Sequence, residues 1–188
     1  MNKWNKKNSL WMLLYVVLYV IASYVVCAIG AIHPIFFVCY QISAGILISG
    51  VVICIFSKIK APGVAAILSL GVILTFVLRN DASIWHLAPL IIMAVLAETV
   101  RAAAKYSWTG DVIGTVIMTF SSFGLYGQIW INRDYTYECA LEEMPAGYAD
   151  TLMSVSPAWA LPVVIVCGIV LSIIISNVTA KLFELTKT

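Results

Sequence analysis

Among the side chains of this sequence, the two histidines can take part in the most kinds of chemistry. His33 and His86 are the only histidines among the 188 residues, and neutral imidazole is a frequent ligand of transition metals and of haem iron. Met144, Met153 or a tyrosine could complete such a ligand set. The spacing is not that of a zinc site. The alternative is that each histidine simply lies at a membrane surface with its polar tip in water.

A second group of residues is suited to holding a small organic molecule. Ligand pockets are lined mainly by apolar and aromatic side chains, with a few polar groups that orient the ligand. The candidates are the aromatic residues Phe36, Phe37, Tyr40, Tyr126, Tyr135 and Trp159 and the polar residues Arg79, Asn80, Gln128 and Arg133, together with the two histidines. Tryptophan and tyrosine also form belts at membrane surfaces, which would explain some of these positions equally well.

Catalytic motifs are missing from the sequence. Glu142 and Glu143 begin an EExxxR-like pattern of intramembrane proteases, but position 147 is glycine instead of arginine. The sequence contains no GxSG, HExxH or GxxxxGK[ST] motif. We therefore expect a protein that is not an enzyme, and any energised transport would depend on ATP hydrolysis by partner subunits.

The composition is that of a membrane protein. Hydrophobic residues make up 62% of the chain and charged residues 11%, and the mean hydropathy is +1.00, whereas soluble domains are roughly 45–50% apolar. The net charge of +2 has no basic block, so no nucleic-acid partner is expected. The first apolar run is longer than the roughly 7 to 15 residues of a signal-peptide core, which predicts that it is retained.

Six transmembrane helices are predicted within a single domain, at residues 10–32, 35–57, 64–78, 84–104, 112–131 and 158–182. Residues 132–157 form the one long polar stretch, with apolar residues interspersed. A long connection of this kind is either functional or disordered. We interpret it as a lid over a binding site, and a solvated linker is the alternative.

The distribution of lysine and arginine predicts the orientation. With both termini in the cytoplasm, nine basic residues lie inside and two outside, which is a strong positive-inside bias. The inner residues are Lys3, Lys6, Lys7, Lys58, Lys60, Arg101, Lys105, Lys181 and Lys187, and the outer ones are Arg79 and Arg133. The three outer connections, at His33, at 79–83 and at 132–157, then carry or border the candidate ligand-binding residues.

Two patterns within the predicted helices have structural interpretations. Glu98 and Arg101 are three residues apart and share a helix face, so we expect an ion pair near the cytoplasmic end, where Arg101 can extend to the surface; a proton relay is the alternative. Ser23, Cys27 and Ala31 form a small-residue ridge, which suits close packing against another helix of this chain or of a partner.

The motifs GAIHPIFF, AETVRAAAKYSW and INRDYTYECALEEMPAGYADTL together resemble those of the Trep/Strep, or MptD-type, family. Members are regarded as substrate-binding S subunits of energy-coupling factor (ECF) transporters. The resemblance covers nearly the whole chain. It implies a six-helix bundle in a bacterial plasma membrane that captures a scarce micronutrient at the outer face.

The resemblance also implies partners, namely a transmembrane T subunit and two cytoplasmic ATPases. Many S subunits dock through an AxxxA motif on the first helix, for which Ser23, Cys27 and Ala31 are the nearest equivalent here. The expected substrate is a vitamin-like molecule, with an iron or haem chelate as second choice because of the histidines; no intrinsic cofactor is expected. A structural or assembly protein and a stand-alone secondary carrier are the alternative functions.

Overall fold

The apolar stretches of the sequence fold as helices. The computed structural model describes residues 4–185, which are helical apart from turns and short connections. In chain order the helices are α1 (Lys6–Ile32), α2 (Pro34–Val38), α3 (Tyr40–Lys58), α4 (Val64–Leu78), α5 (Ile84–Ala103), α6 (Trp108–Met118), α7 (Phe123–Tyr126), α8 (Gln128–Ile131), α9 (Arg133–Glu143), α10 (Tyr148–Val155) and α11 (Ala160–Leu182). The predicted all-α class is confirmed.

Four helices of the described chain are long and apolar enough to cross a membrane. These are α1, α3, α5 and α11, with 27, 19, 20 and 23 residues, against the roughly 17 to 25 residues that a span requires. Helix α4 has the predicted bounds, but its 15 residues cover only about 22 Å of a hydrocarbon layer about 30 Å thick. The structure therefore shows four candidate spans where the sequence predicted six.

The predicted helix at 112–131 is broken. Helix α6 starts earlier, at Trp108, and ends at Met118, and α7 and α8 contain only four residues each. Between them the backbone N–H groups of Phe120, Ser121 and Phe123 bond to carbonyls three residues back, the tighter pattern of 3₁₀ turns. Gly124 packs so closely on α5 that a Cβ there would lie 1.7 Å from the Trp85 carbonyl oxygen. Gly124 and the small residues next to it thus allow a turn that packs closely against α5.

The polar stretch contains two helices. Helices α9 and α10 occupy residues 133–155, which we call the lid. The predicted helix at 35–57 is also divided, because Cys39 separates α2 from α3. The last helix ends at Leu182 as predicted but begins at Ala160.

Helix α3 is the most buried helix and packs against α1, α6 and α11. Its closest approach is to α11, where a Cβ on Gly45 would lie 2.5 Å from the carbonyl oxygen of Gly168. The hydroxyls of Ser49 and Ser172 are hydrogen-bonded to each other across the same interface at 2.7 Å. Glycine and serine at a crossing let helix backbones approach closely.

Four charged residues meet at the end of the bundle where α3 leads into α4, and we call them the base cluster: Lys60, Glu98, Arg101 and Asp111. The ion pair predicted between Glu98 and Arg101 is loose, with 3.9 Å between Oε1 and Nη1. The main partner of Arg101 is instead Asp111, whose Oδ1 accepts from Nε at 2.9 Å.

Arg101 does not extend to the surface, because its side chain has 0% exposure. Its Nη2 donates to the carbonyl oxygens of Phe56 at 3.2 Å and Ile59 at 2.9 Å. These hydrogen bonds join Arg101 to the C-terminal end of α3. Although Asp111 would be a plausible N-cap by residue type, it lies within the first turn of α6. Ser107 is the cap, and its Oγ accepts from the N–H of Gly110 at 3.3 Å.

Candidate functional site: a cavity beneath the lid

A cavity of about 330 Å³ lies between the lid and the membrane helices. It is bounded by α1, α4, α5, the broken segment α7–α8 and both lid helices. Apolar and aromatic side chains dominate its lining, and the polar lining residues are Ser23, Arg79, Asp81, Ser83, His86, Ser121, Ser122, Gln128, Thr136 and Glu143. A concave, largely apolar site with a few converging polar groups is typical of small-molecule binding.

Tyr40 forms a fixed aromatic surface of the cavity. Its ring stacks on Tyr126 with 5.0 Å between centroids. Behind it, the Tyr126 hydroxyl donates to Oε1 of Gln41, and Nε2 of Gln41 donates to Thr119 at 3.0 Å. These buried contacts hold the Tyr40 ring in one orientation.

The broken segment supplies polar groups to the cavity. Ser121, Ser122, Gly124 and Gln128 line the cavity, and Ser121 is hydrogen-bonded to the hydroxyl of Tyr19 at 2.7 Å. Non-helical backbone is tolerated inside a membrane where it is buried in protein or lines a cavity. The break in the helix thus adds polar groups to those that the other lining segments bring to the site.

Gln128 has an unsatisfied acceptor. Its side chain is only 6% exposed, and its Oε1 has no hydrogen-bond partner among the described residues. A buried polar atom without a partner costs about 1–3 kcal/mol. The amide oxygen of Gln128 is therefore an unpaired acceptor buried within the cavity wall.

Charged groups gather where α4 meets α5. Asp81 accepts through its backbone carbonyl from the His86 ring at 2.9 Å, and its Oδ1 lies 3.4 Å from His86 Nδ1. The His86 ring stacks on Phe76 at 4.8 Å. Arg79 lies over the ring of Tyr24 at 5.6 Å, and the Tyr24 hydroxyl raises the pKa of Arg79, so the guanidinium stays charged. No carboxylate lies within ion-pair distance of Arg79 in the described chain.

The two lid helices are joined by side chains. Arg133 on α9 donates to the carbonyl of Ser156 at 3.0 Å and to that of Met153 at 2.5 Å. The Tyr137 hydroxyl donates to Asp150 at 2.8 Å, and this bond raises the pKa of Tyr137. Arg133 was a candidate ligand-binding residue, but the structure places it in these contacts and not in the cavity lining.

One buried hydrogen bond fastens the lid to the bundle. The hydroxyl of Tyr148 on α10 donates to the carbonyl oxygen of Gly30 on α1 at 2.7 Å. Burial raises the pKa of Tyr148 to about 12. Tyr148 is thus a neutral donor at physiological pH, and it closes the lid over a cavity that it also lines.

The structure brings six of the twelve candidate binding residues to the cavity. Phe37, Tyr40, Arg79, His86, Gln128 and Tyr135 line it, whereas His33, Phe36, Asn80, Tyr126, Arg133 and Trp159 do not. His33 caps α2, with Nδ1 accepting from the N–H of Ile35 at 3.2 Å. Phe36 and Trp159 are 44% and 68% exposed, Asn80 lies in the turn after α4 with φ of 55°, and Tyr126 lies behind Tyr40.

The small-residue ridge of α1 faces inward. Ser23, Cys27 and Ala31, predicted to pack against another helix, all line the cavity. Small side chains here leave room for the cavity next to α1. The structure thus favours a role within the site over the docking role, and the outward face of α1 carries larger residues such as Leu14, Ile21 and Val25.

The two histidines are not brought to one site. His86 lines the cavity and His33 does not. Within residues 4–185 no three His, Cys, Asp or Glu side chains are grouped as metal ligands.

Several lining residues were not predicted, notably Tyr24, Phe76, Trp85, Ser122, Glu143 and Tyr148. The cluster of Ser121, Ser122, Gly124 and Gly127 was a usable signal, because interrupted apolar segments often mark binding sites in transporters. The sequence instead predicted an unbroken helix at 112–131.

Comparison with curated proteins and with solved structures finds no significant match. A sequence model of the family described as "Hypothetical bacterial integral membrane protein (Trep_Strep)" matches residues 7–184. The match includes every helix from α2 to α11 and all but the first residue of α1. The chain therefore belongs to the Trep_Strep family of bacterial integral membrane proteins.

Proposed function

We propose that this protein is the substrate-binding subunit of an ECF-type importer, which captures a small vitamin-like molecule outside the cell. The observation that carries the proposal is the cavity of about 330 Å³ beneath a hydrogen-bonded helical lid. Its volume lies at the lower end of the roughly 300–1,000 Å³ of ligand pockets. An iron or haem chelate is the second choice of ligand. It is less well supported than the sequence suggested, because His33 does not line the cavity.

The charge distribution supports an outward-facing lid. Trp4, at the start of α1, donates to the carbonyl of Pro62 at 3.1 Å, and Lys60 donates to the carbonyl of Tyr106 at 3.0 Å. The start of α1 and the connections around residues 60 and 106 are therefore at one end of the bundle, opposite the lid. Most lysines belong to that end, which the positive-inside rule assigns to the cytoplasm. The proposal also places the protein in a bacterial plasma membrane, with both termini in the cytoplasm. The chain would then cross the membrane six times, and two of these crossings are short or broken.

The protein would act as a binder without enzymatic activity. The lid and the polar groups of the broken helix hold the ligand, and ATP hydrolysis takes place on two partner ATPases coupled through a T subunit. Since Ser23, Cys27 and Ala31 face the cavity, the T subunit would contact a different surface from the one predicted.

Affinity purification from the native membrane tests the partners. A T subunit and two ATPases should co-purify with the tagged chain, and uptake of its ligand should stop when the ATPases are inactivated. Uptake that survives ATPase inactivation would instead favour a secondary carrier. Absence of both ATPases and bound ligand would favour an assembly protein.

A pair of variants on α1 tests the cavity. Cys27→Phe places a ring in the cavity, whereas Val25→Phe adds the same ring to a residue that is 43% exposed on the same helix. Only the cavity variant should lose the co-purifying small molecule, while both should still bind the T subunit. Equal ligand retention in the two variants would contradict the assignment of the site.

A further inference from the structure

A groove separates α1 from α4 on the surface of the bundle. Its volume is about 470 Å³, and apolar side chains of both helices line it: Met12, Leu13 and Val16 on α1, and Ile67, Leu70 and Leu74 on α4. We propose that the groove binds one phospholipid of the surrounding membrane that has a net negative headgroup. Its acyl chain lies in the groove and its phosphate pairs with Lys6. The proposal does not depend on the importer function, because it concerns a surface outside the cavity.

The groove has a buried floor between two exposed ridges. Met12 is 4% exposed, whereas Leu13 and Leu70 are 64% and 58% exposed. The two helices pack closely at Gly71, where a Cβ would lie 2.4 Å from Cγ1 of Val16. In a membrane, exposed apolar helix surface is in contact with acyl chains, which are as apolar as leucine. The groove can therefore contact one acyl chain from both sides.

The lining is better suited to a flexible chain than to a partner helix. Helices associate in membranes through small residues, which allow close approach, and through polar side chains that bond across the interface. Gly71 is the one glycine among the described lining residues, and Val16 already packs against it. The N–H of Trp4 and the hydroxyl of Ser9 already donate to backbone carbonyls of this chain. Neither donor is therefore available to a second helix.

The charge at one end of the groove favours a negative headgroup. Lys6 precedes Ser9 by three residues, so it lies on the groove face of α1. It is exposed, and no carboxylate of the described chain lies within ion-pair distance of it. The sequence has no aspartate or glutamate before Asp81, so α1, α3 and α4 contain no acidic side chain. Lysines near a membrane surface attract anionic lipids.

Trp4 indicates the level at which the headgroup lies. Its indole N–H donates to the carbonyl of Pro62 at 3.1 Å, which joins the start of α1 to the connection before α4. Tryptophan is enriched where a membrane meets water, and Trp4 lines the same end of the groove that Lys6 adjoins. A lipid whose phosphate reaches Lys6 can thus extend its acyl chain along the groove towards Leu74.

Native mass spectrometry and thermal-shift measurements on the full-length chain in detergent test the proposal. The probes are phosphatidylglycerol and phosphatidylcholine with identical acyl chains. One molecule of phosphatidylglycerol should bind saturably and raise the unfolding temperature, whereas phosphatidylcholine should bind about fivefold more weakly. Glycerol phosphate, which has the charge without the acyl chains, should not bind.

Two matched pairs of variants locate the lipid. Ser9→Phe places a ring in the groove and should abolish saturable binding, whereas Leu10→Phe adds a ring to a neighbouring residue that does not line it. Lys6→Gln should reduce the preference for phosphatidylglycerol about fivefold, whereas Lys7→Gln, on a different face of α1, should change it less than about twofold. All four residues are exposed, so the fold should tolerate each substitution.

The proposal is overturned if the two lipids bind equally or if the members of either pair of variants behave alike. Lipid binding that does not saturate would also overturn it, because it would indicate only the general lipid shell of the protein. A protein occupant would give a third result, in which Ser9→Phe reduces the signal of a dimer or of a co-purified membrane protein and leaves lipid binding unchanged. The groove would then be a protein interface, and the lipid proposal would be wrong.

Discussion

Arg101 on α5 and Asp111 on α6 form an ion pair with 2.9 Å between Nε and Oδ1, and neither side chain has any exposed surface. Ten residues separate them, and the turn between α5 and α6 includes Lys105 and Tyr106 with positive φ angles of 52° and 55°. Lys60 adds a second contact to Asp111 at 3.0 Å. One carboxylate thus joins α5, α6 and the connection that follows α3.

Loss of the Asp111 charge should strongly destabilise the protein. Breaking a buried ion pair costs about 3–5 kcal/mol because the remaining charge is left uncompensated. Asp111→Asn should lower the unfolding temperature in detergent far more than Glu98→Gln, whose carboxylate lies 3.9 Å from Arg101. Asp134→Asn, on the exposed face of α9, is the control. Equal losses for Asp111 and Asp134 would contradict this interpretation of the base cluster.

The bond between Tyr148 and Gly30 should control opening of the lid. Tyr148→Phe removes one buried hydrogen bond, worth about 0.5–1.5 kcal/mol, and should speed up maleimide labelling of Cys139 several-fold. Cys139 lines the cavity, and labelling is measured in a chain whose other four cysteines are alanine. Thr151→Ala removes a local bond within α10 and should leave the rate unchanged. An unaltered rate in Tyr148→Phe would show that the lid is closed by other contacts.

The hydrogen bond between Tyr148 and Gly30 should not depend on pH in the neutral range. Burial raises the pKa of Tyr148 from 10.0 to about 12, so the stabilisation by the neutral hydroxyl is complete below pH 10.0 and is lost as pH rises toward 12. The ratio of labelling rates between Tyr148→Phe and the parent should therefore stay constant from mildly acidic to mildly alkaline buffer. The ratio removes the ordinary pH dependence of the thiol, which is common to both chains. A ratio that changes near neutral pH would indicate a different titrating group.

Gly124 should tolerate no side chain. A Cβ at this position would lie 1.7 Å from the Trp85 carbonyl oxygen and 2.7 Å from Pro89, so Gly124→Ala must push α7 away from α5. We expect a lower unfolding temperature and loss of ligand binding. Gly50→Ala is the control, because its Cβ would meet nothing closer than 3.7 Å and alanine is the better helix former. Equal effects of the two substitutions would contradict the close contact.

The sequence predicted α4 and most of α5 because apolar runs with clear polar boundaries decide such helices locally. It did not predict the break before α7, because small residues such as Gly124 occur both in closely packed helices and in turns. The turn packs on the Trp85 carbonyl, which is distant in sequence. The partner of Arg101 was missed for the same reason, as Glu98 shares its helix face and Asp111 is a tertiary neighbour.

The site was predicted in part. Phe37, Tyr40 and Arg79 follow from the placement of their connections at one end of the bundle. The ridge of Ser23, Cys27 and Ala31 was recognised as one helix face, but its inward direction depends on the rotation of α1, which a sequence pattern does not define. The sequence could not exclude Arg133 from the site. Only the fold of the lid shows that its guanidinium is already hydrogen-bonded to backbone carbonyls.

The contact between Gly45 and Gly168 has a consequence at the other side of the site. The Gly168 backbone fills the space of a Gly45 side chain, and Gln41 fills that of a Gly168 side chain. Because both places are occupied, α11 cannot slide along α3 without collision. Only residues 156–159 separate α11 from the lid, and Trp130 and Arg133 bind carbonyls of Pro157 and Ser156 in this link. A glycine pair within the bundle thus sets the height at which the lid lies above the cavity.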